Sequence, residues 1–234
     1  MKLEIAGENS VIVYFGEQAT ASVSAQVQQA ANIVTRELEN EVIDVIASYA
    51  SLLIIYDIDK TDFFSVKLKI KNLLSNLEES SNSSGKVVEL PVYYSTESGA
   101  DLERIANAKG INIDDVIDIH QQGSYRVYAI GFAPGFAYLG EVDDKIAMPR
   151  LSKPRLKVPK GAVAIADRQT AVYPAQSPGG WNLVGLCPIE MFNATNQPHM
   201  PVEVGDTIKF KSITKQEFID LGGDESLLLE NSHD

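Results

Sequence analysis

The chain has 234 residues, of which 44% are hydrophobic, and this suits a globular protein with one large domain or two small ones. Its formal net charge of −12 argues against a general affinity for nucleic acid or for an anionic membrane, because both favour a basic surface. Cys187 is the single cysteine, which excludes an internal disulfide. Since no long apolar run and no leader-like N-terminus are visible either, we expect a cytoplasmic protein.

A break in composition divides the chain. All ten prolines lie after Leu90, and the segment before the break contains only two glycines, Gly7 and Gly16. Between the two regimes runs Glu78–Gly85, a polar and serine-rich stretch with the composition of a linker. We therefore predict an N-terminal domain over residues 1–85 and a second domain over residues 86–234.

The N-terminal part contains two helical and four strand patterns. Apolar residues recur at helical spacing from Ser22 to Leu38 and from Phe63 to Leu77, and Asp62 is placed to cap the second helix. Four short apolar segments have the length of strands: Leu3–Ala6, Val11–Phe15, Ile43–Tyr49 and Leu52–Tyr56. Two amphipathic helices over an antiparallel sheet predict a ferredoxin-like α/β domain, and the fold class is α+β.

The second part begins with a strand pattern and a pair of short helices. Val87–Val92 is the strand, Ser98–Ala108 is the first helix, and Asn112 caps a second helix over Ile113–Gln121. Two helices joined by a glycine turn at Gly110 resemble a DNA-binding motif. The pair is strongly acidic, however, and acidic side chains repel phosphates, so we predict no nucleic-acid binding.

After Gln122 the helical periodicity stops, and short strands alternate with glycine and proline turns. The predicted strands are Tyr125–Phe132, Gly161–Ala166, Thr170–Tyr173, Trp181–Cys187 and Thr207–Phe210. This pattern is typical of a small barrel or sandwich.

Two motifs rich in glycine and proline mark the candidate site, Gly131–Phe136 and Ser177–Trp181. Such loops let the backbone approach a ligand closely. The stretch from Ser177 to Gly180 is expected to form a tight turn whose N–H groups can face an anion or a carbonyl, and Trp181 is either a pocket wall or a core anchor. Gln169 can recognise an amide, because its side chain both donates and accepts hydrogen bonds.

Cations concentrate between Lys145 and Lys160, where six basic residues occur without an acidic one. The segment is either a solvated loop or a cationic rim that faces a carboxylate, a phosphate or an acidic partner. Arg150 and Arg155 each follow a proline, which restricts the backbone from which each arginine would approach an anion. This is consistent with pre-organised anion binding and equally with a structural ion pair.

Histidine and cysteine chemistry is sparse. His120 ends the second acidic helix, where it is either a helix cap or a general acid/base. His120, His199 and His233 have no metal-ligand spacing, so we predict no metal site. No phosphate-binding loop or dinucleotide motif occurs, so no recognisable motif of this chain binds ATP. Cys187 lies in an apolar segment and is expected to be a small core residue.

The same motifs resemble those of the family of 5-oxoprolinase B subunits, which is also called the KipI or allophanate hydrolase subunit 1 family. The resemblance runs from about Val87 to Phe210. The motifs that carry it are Tyr125–Tyr128, Gly131–Phe136, Tyr138–Gly140, Pro149-Arg150, Pro154-Arg155, Val158–Gly161, Gln169-Thr170, Tyr173-Pro174 and Ser177–Trp181. The resemblance implies a cyclophilin-like β-barrel after the N-terminal domain. It also implies a complex in which the B and C subunits pair, and the A subunit completes the ATP-dependent opening of 5-oxoproline to glutamate.

Site roles follow from this resemblance. His120 and Arg155 are the expected catalytic residues, the first as a proton shuttle and the second as a group that holds carboxylate or phosphoryl oxygens. ATP and Mg²⁺ are expected to act at the level of the complex. The residues expected to bind 5-oxoproline or a related amide are Phe132, Pro134, Gly135, Phe136, Arg150, Gln169, Ser177, Gly179, Gly180 and Trp181.

Three functions therefore stand beside one another. The first is an enzyme subunit that is inactive alone and opens 5-oxoproline together with the 5-oxoprolinase subunits C and A. The alternative is a regulatory binding protein that inhibits a sensor histidine kinase, as some family members are described to do. The third is a scaffold that orders the C subunit.

Overall fold

The computed structural model describes residues 1–17, 20–75, 77 and 85–228. Residues 78–84 of the predicted linker Glu78–Gly85 and the tail that contains His233 lie outside the described residues. The chain divides into two compact units, Met1–Gly85 and Lys86–Asp234. Among the described residues, no helix is long and apolar enough to cross a membrane.

The first unit consists of β1 (Lys2–Gly7), β2 (Ser10–Tyr14), α1 (Ala21–Glu37), β3 (Val42–Ala47), β4 (Ser51–Tyr56) and α2 (Phe63–Leu73). It packs its two helices against one face of a four-stranded antiparallel sheet with strand order β1-β2-β4-β3. Alternation along β2 and β4 turns Val11, Val13, Leu52 and Ile54 toward the helices, where all four are fully buried. This arrangement confirms the predicted ferredoxin-like α+β unit.

The second unit contains a closed seven-stranded barrel and a separate two-stranded ribbon. The barrel strands are β5 (Val87–Tyr93), β6 (Tyr125–Ile130), β7 (Ala137–Gly140), β9 (Ala162–Ala166), β10 (Gln169–Val172), β12 (Asn182–Leu186) and β13 (Thr207–Ile213). The ribbon is β8 (Arg155–Val158) with β11 (Ser177–Gly179), and the helices are α3 (Leu102–Lys109), α4 (Ile113–Gln122) and α5 (Lys215–Asp220). The strand order around the barrel is β10-β7-β6-β13-β5-β12-β9, and the barrel confirms the predicted fold class.

The helix pair follows its sequence signals closely. α3 ends at Gly110, whose φ of 68° is the left-handed conformation that glycine adopts without steric cost. α4 begins at Asn112, whose side chain accepts from the N–H of Asp115 in a reciprocal capping box. The predicted start of the first helix at Ser98 is wrong, because residues 98–101 form turns and the helix begins at Leu102.

Because side chains alternate along each strand, the barrel wall has an inner face and an outer face, and a different cluster of residues packs on each. On β9, Val163 and Ile165 belong to the interior core, whereas Ala162, Ala164 and Ala166 belong to a second cluster outside it. Because those outer positions are alanines, aromatic rings can lie against the sheet. Among the rings of this outer cluster are Phe136, Tyr173 and Trp181, with Tyr138 packed against them.

Candidate functional site

The outer face of the barrel carries a pocket of about 250 Å³. It is lined by Phe132, Phe136, Tyr138, Arg150, Pro154, Tyr173, Pro178, Gly179, Gly180 and Trp181. Six of the predicted binding residues therefore come together at this pocket. They lie on the Gly131–Phe136 turn, on the loop before β8, and at the end of the β8–β11 ribbon.

Phe136 is the centre of the aromatic wall. Its ring is 2% exposed and makes edge-to-face contacts with four other rings. The ring-centroid distances are 5.3 Å to Phe132, 4.9 Å to Tyr138, 5.2 Å to Tyr173 and 5.7 Å to Trp181. Pairs in this geometry stabilise one another beyond simple area burial, so the wall is held by its own packing.

The Gly131–Phe136 turn presents two of these rings. The N–H of Gly131 donates to the carbonyl of Phe136 at 3.0 Å, which closes the turn. Gly135 has a φ of 83°, and a Cβ there would lie 2.6 Å from the carbonyl oxygen of Met191, so only glycine fits. Phe132 also has a positive φ, 73°, and is 69% exposed at the pocket rim. An exposed aromatic residue in a disfavoured backbone conformation is typical of a binding site.

Arg150 is the cation of the pocket. Its guanidinium carbon lies 5.7 Å from the centroid of the Trp181 ring, a cation–π distance, and the side chain is exposed. Trp181 itself is 4% exposed. Of the two predicted alternatives for Trp181, the structure favours the pocket wall, because the ring lines the pocket and packs in the outer cluster rather than in the barrel interior.

Tyr173 supplies a polar group to the same wall. Burial raises the pKa of Tyr173, against the smaller opposing effect of Arg150, so the phenol is neutral at ordinary pH. A Cβ added at Gly179 would collide with the Tyr173 hydroxyl, which explains a glycine at that position. The pocket thus combines one cation, two phenols and several ring faces.

Four predicted binding residues do not line this pocket. Gly135 acts only through the turn, and Pro134 is exposed beside it. Gln169 pairs with Gly140 and Ala166 in the barrel wall. Ser177 is wrongly predicted as part of a tight turn, because residues 177–179 form strand β11, in which Ser177 is paired with Val158.

Arg155 is a structural residue rather than a pocket residue. Its Nη2 donates to Asp101 Oδ1 at 2.9 Å, and its Nη1 donates to the carbonyl of Trp181 at 3.5 Å. Asp101 is 4% exposed, and its other oxygen accepts from the N–H of Leu183 at 2.7 Å. The predicted anion-holding role of Arg155 is corrected for this reason, since a buried carboxylate already occupies its guanidinium.

His120 is placed in the barrel core, with 0% exposure. Its Nδ1 is hydrogen-bonded to the Tyr94 hydroxyl at 2.7 Å and its Nε2 to Thr170 Oγ1 at 3.0 Å, while its ring stacks on Phe210 at 4.8 Å. Burial lowers the pKa of His120 to about 3, so the imidazole is neutral.

The predicted proton-shuttle role of His120 is corrected on geometry. Thr170 faces the interior, whereas the next residue, Ala171, belongs to the outer cluster, so the sheet separates His120 from the pocket. Its side chain does not cap the helix either, because both ring nitrogens bind side chains of other elements.

Two cations of the segment from Lys145 to Lys160 form ion pairs. Lys160 pairs with Glu190 at 2.8 Å and Arg155 pairs with Asp101, whereas Arg150 lines the pocket. Cys187 is buried, and burial raises the pKa of its thiol to about 12, as expected of an inert core residue.

Sequence reasoning missed several residues that build the site. Tyr138 and Tyr173 stood in recognised motifs but were not assigned to the pocket, and alternation with the interior residues Leu139 and Val172 was the available signal. Asn182 and Asp101 are buried polar residues whose partners lie far away in the sequence, so no local pattern could identify them.

Comparison with known proteins places the whole chain in context. The sequence profile of the family described as "Carboxyltransferase domain, subdomain C and D" matches residues 1–202. The chain belongs to this family, and it is also similar to proteins named as B subunits of 5-oxoprolinase.

One such relative is the 5-oxoprolinase B subunit from Bacillus subtilis (strain 168). It is 35% identical over 227 residues, which cover 93% of this chain and 95% of the relative. The crystal structure of TTHA0988 superimposes with a TM-score of 0.78 at 32% identity, over 87% of this chain. The match spans only 40% of that chain, so TTHA0988 is a considerably longer protein. The Kluyveromyces lactis urea amidolyase shares the fold, with a TM-score of 0.75 at 18% identity over 93% of this chain and 15% of that one.

Proposed function

We propose that this chain is the B subunit of an ATP-dependent 5-oxoprolinase, which opens 5-oxo-L-proline to L-glutamate together with subunits C and A. Membership in the family and the end-to-end similarity to the Bacillus subtilis protein support the assignment. The single observation that supports a substrate site for this function is the Arg150–Trp181 pair at the aromatic pocket.

The proposed ligand of the pocket is a small cyclic amide with a carboxylate, such as 5-oxoproline. A guanidinium matches the two oxygens of a carboxylate, and Arg150 is exposed beside the pocket. The faces of Trp181 and Tyr138 suit a flat five-membered ring, and the neutral Tyr173 hydroxyl can donate to a lactam carbonyl. A pocket of about 250 Å³ is on the scale of such a compact ligand.

The pocket does not suit ATP and Mg²⁺. Its lining contains one cation, Arg150, for four phosphate charges, and no carboxylate of the kind that Mg²⁺ prefers. Among the described residues, no group of three or more His, Cys, Asp or Glu side chains is arranged to hold a metal ion. We therefore place ATP and Mg²⁺ at the level of the complex and assign no step of ATP chemistry to these residues.

The test is reconstitution. Glutamate release from 5-oxoproline with ATP and Mg²⁺ is measured with this chain and its cognate A and C subunits, and each protein is omitted in turn. We expect release from the full set and none without this chain. Release that persists without this chain would contradict the proposal. An intact complex with no release would point to another amide or to the kinase-regulator alternative.

A further inference from the structure

Asn182 is a fully buried polar residue that neither lines the pocket nor belongs to any recognised motif. It follows Trp181 directly, at the start of β12. Its side-chain amide forms three hydrogen bonds, each to a different segment of the chain. A buried amide with a full set of partners fixes whatever it binds, because releasing any partner leaves an unsatisfied polar group in the interior.

The partners of Asn182 belong to the loop before Arg150, to strand β9 and to helix α3. Its Nδ2 donates to the carbonyl of Pro149 at 3.1 Å and to the carbonyl of Ile165 at 2.9 Å. Its Oδ1 accepts from the guanidinium of Arg104 on α3. This assignment of the amide is the chemically consistent one, with its two donors on carbonyls and its acceptor on a cation.

Pro149 immediately precedes Arg150, so the amide of Asn182 holds the backbone next to the pocket cation. A second bond lies on the other side, where the N–H of Leu151 donates to the carbonyl of Gly180 at 2.7 Å. Arg150 and Trp181 are therefore each flanked by the two bonds that join residues 149–151 to residues 180–182. The backbone that carries the guanidinium and the backbone that carries the indole are therefore joined on both sides of the cation–π contact.

We infer that Asn182 is a positioning residue for the pocket, which acts by holding Arg150 at its place over Trp181. The identity of the ligand, 5-oxoproline, rests on the proposed function. The positioning of Arg150 by Asn182 does not depend on it. Its chemical consequence is specific: loss of the amide should weaken ligand binding, whereas the reacting groups of the complex remain in place.

The test compares three variants of the full chain in the reconstituted complex. Asn182→Ala should raise the KM for 5-oxoproline about tenfold, the effect of one or two lost hydrogen bonds, with kcat within about twofold. Arg104→Gln changes an exposed side chain, is expected to fold normally, and should give a smaller rise in KM in the same direction. Thr170→Val is the matched control, because Thr170 is equally buried and hydrogen-bonded but faces the interior of the barrel.

A second readout needs no partner protein. Trp181 is the single tryptophan, so the emission of the isolated chain reports directly on the pocket wall. Asn182→Ala and Arg104→Gln should shift this emission to longer wavelength and increase its quenching by acrylamide, whereas Thr170→Val should not.

Wild-type KM and wild-type emission in the folded Asn182 and Arg104 variants would overturn the inference. An equal change in Thr170→Val would also overturn it, because the effect would then be general destabilisation. If Asn182→Ala does not fold, the KM and the emission of Arg104→Gln decide whether the inference holds. If the wild-type complex releases no glutamate, the proposed function fails, and the emission data still decide the positioning role.

Discussion

The guanidinium carbon of Arg150 lies 5.7 Å from the centre of the Trp181 ring, although 30 positions separate the two residues in the sequence. The flanking bonds from Leu151 to Gly180 and from Asn182 to Pro149 join the same two segments. A cation held over a buried ring keeps its outer donors available to an anion, because the ring face occupies none of them strongly. This relationship gives the pocket a fixed positive group in a chain that is otherwise acidic.

The ion pair of Arg155 with Asp101 should contribute to stability rather than to chemistry. Arg155→Met leaves the Asp101 carboxylate buried with fewer partners, and we expect a loss of about 2 kcal/mol in the free energy of unfolding, reduced from the fully buried case because Arg155 is 30% exposed. Urea denaturation measures this loss. Arg155→Lys should recover part of it. Unchanged stability together with abolished turnover would show that Arg155 is catalytic, as the family resemblance implies.

His120 should make the stability of the chain depend on pH. Its pKa is lowered from 6.5 to about 3 by burial, so the unfolded state binds the proton more tightly than the folded state does. Stability from this group is therefore fully present above pH 6.5 and falls as the pH drops from there toward 3. Between pH 7 and pH 5 the expected loss is about 2 kcal/mol.

The measurement for His120 is a comparison of unfolding free energies at pH 7 and pH 5. His120→Gln should be less stable than wild type at pH 7 but should lose less on acidification. Turnover per folded molecule should persist in this variant, because His120 lies on the opposite face of the sheet from the pocket. A variant that keeps the wild-type pH slope would refute the assignment.

The two glycines of the Gly131–Phe136 motif should respond differently to alanine. A Cβ at Gly135 meets the Met191 carbonyl oxygen at 2.6 Å in a backbone with φ of 83°, so Gly135→Ala should cost about 2 kcal/mol or more. A Cβ at Gly131 meets no atom within 4 Å, so Gly131→Ala should stay within about 0.5 kcal/mol of wild type. Thermal unfolding of both variants checks this, and equal effects would mean that the turn is not closed as described.

Elements with strong local signals were predictable from the sequence. Asn112 and Gly110 mark helix ends through their own caps and conformations, and periodic apolar residues mark α1 and the strands of the first sheet. The strands β7, β8 and β11 were not predicted, because each is a short piece of three or four residues within a segment rich in glycine and proline that was interpreted as loops. Helix α5 was missed as well, although Thr214 and Glu217 form a capping box before it.

In the candidate site, too, residues with a local sequence signal were predictable, and residues whose surroundings depend on other elements were not. Phe132, Phe136, Trp181 and Arg150 were found because glycine, proline, aromatic and cationic residues cluster in loops. His120 and Arg155 were misassigned because residue type does not reveal burial, and both are held by partners from other elements. The alternation of interior and outer positions on β9 and β10, which places the site, becomes visible only once the barrel closes.

The most direct measurement is the steady-state KM for 5-oxoproline of the reconstituted complex that contains Arg150→Ala, beside Arg150→Lys and wild type. Arg36→Ala, an exposed arginine on α1, is the matched control. The account predicts that Arg150→Ala loses about 2 kcal/mol of binding, or about thirtyfold in KM, that Arg150→Lys lies between, and that the control is unchanged. An Arg150→Ala complex with wild-type KM and kcat would contradict the assignment of the aromatic pocket as the substrate site.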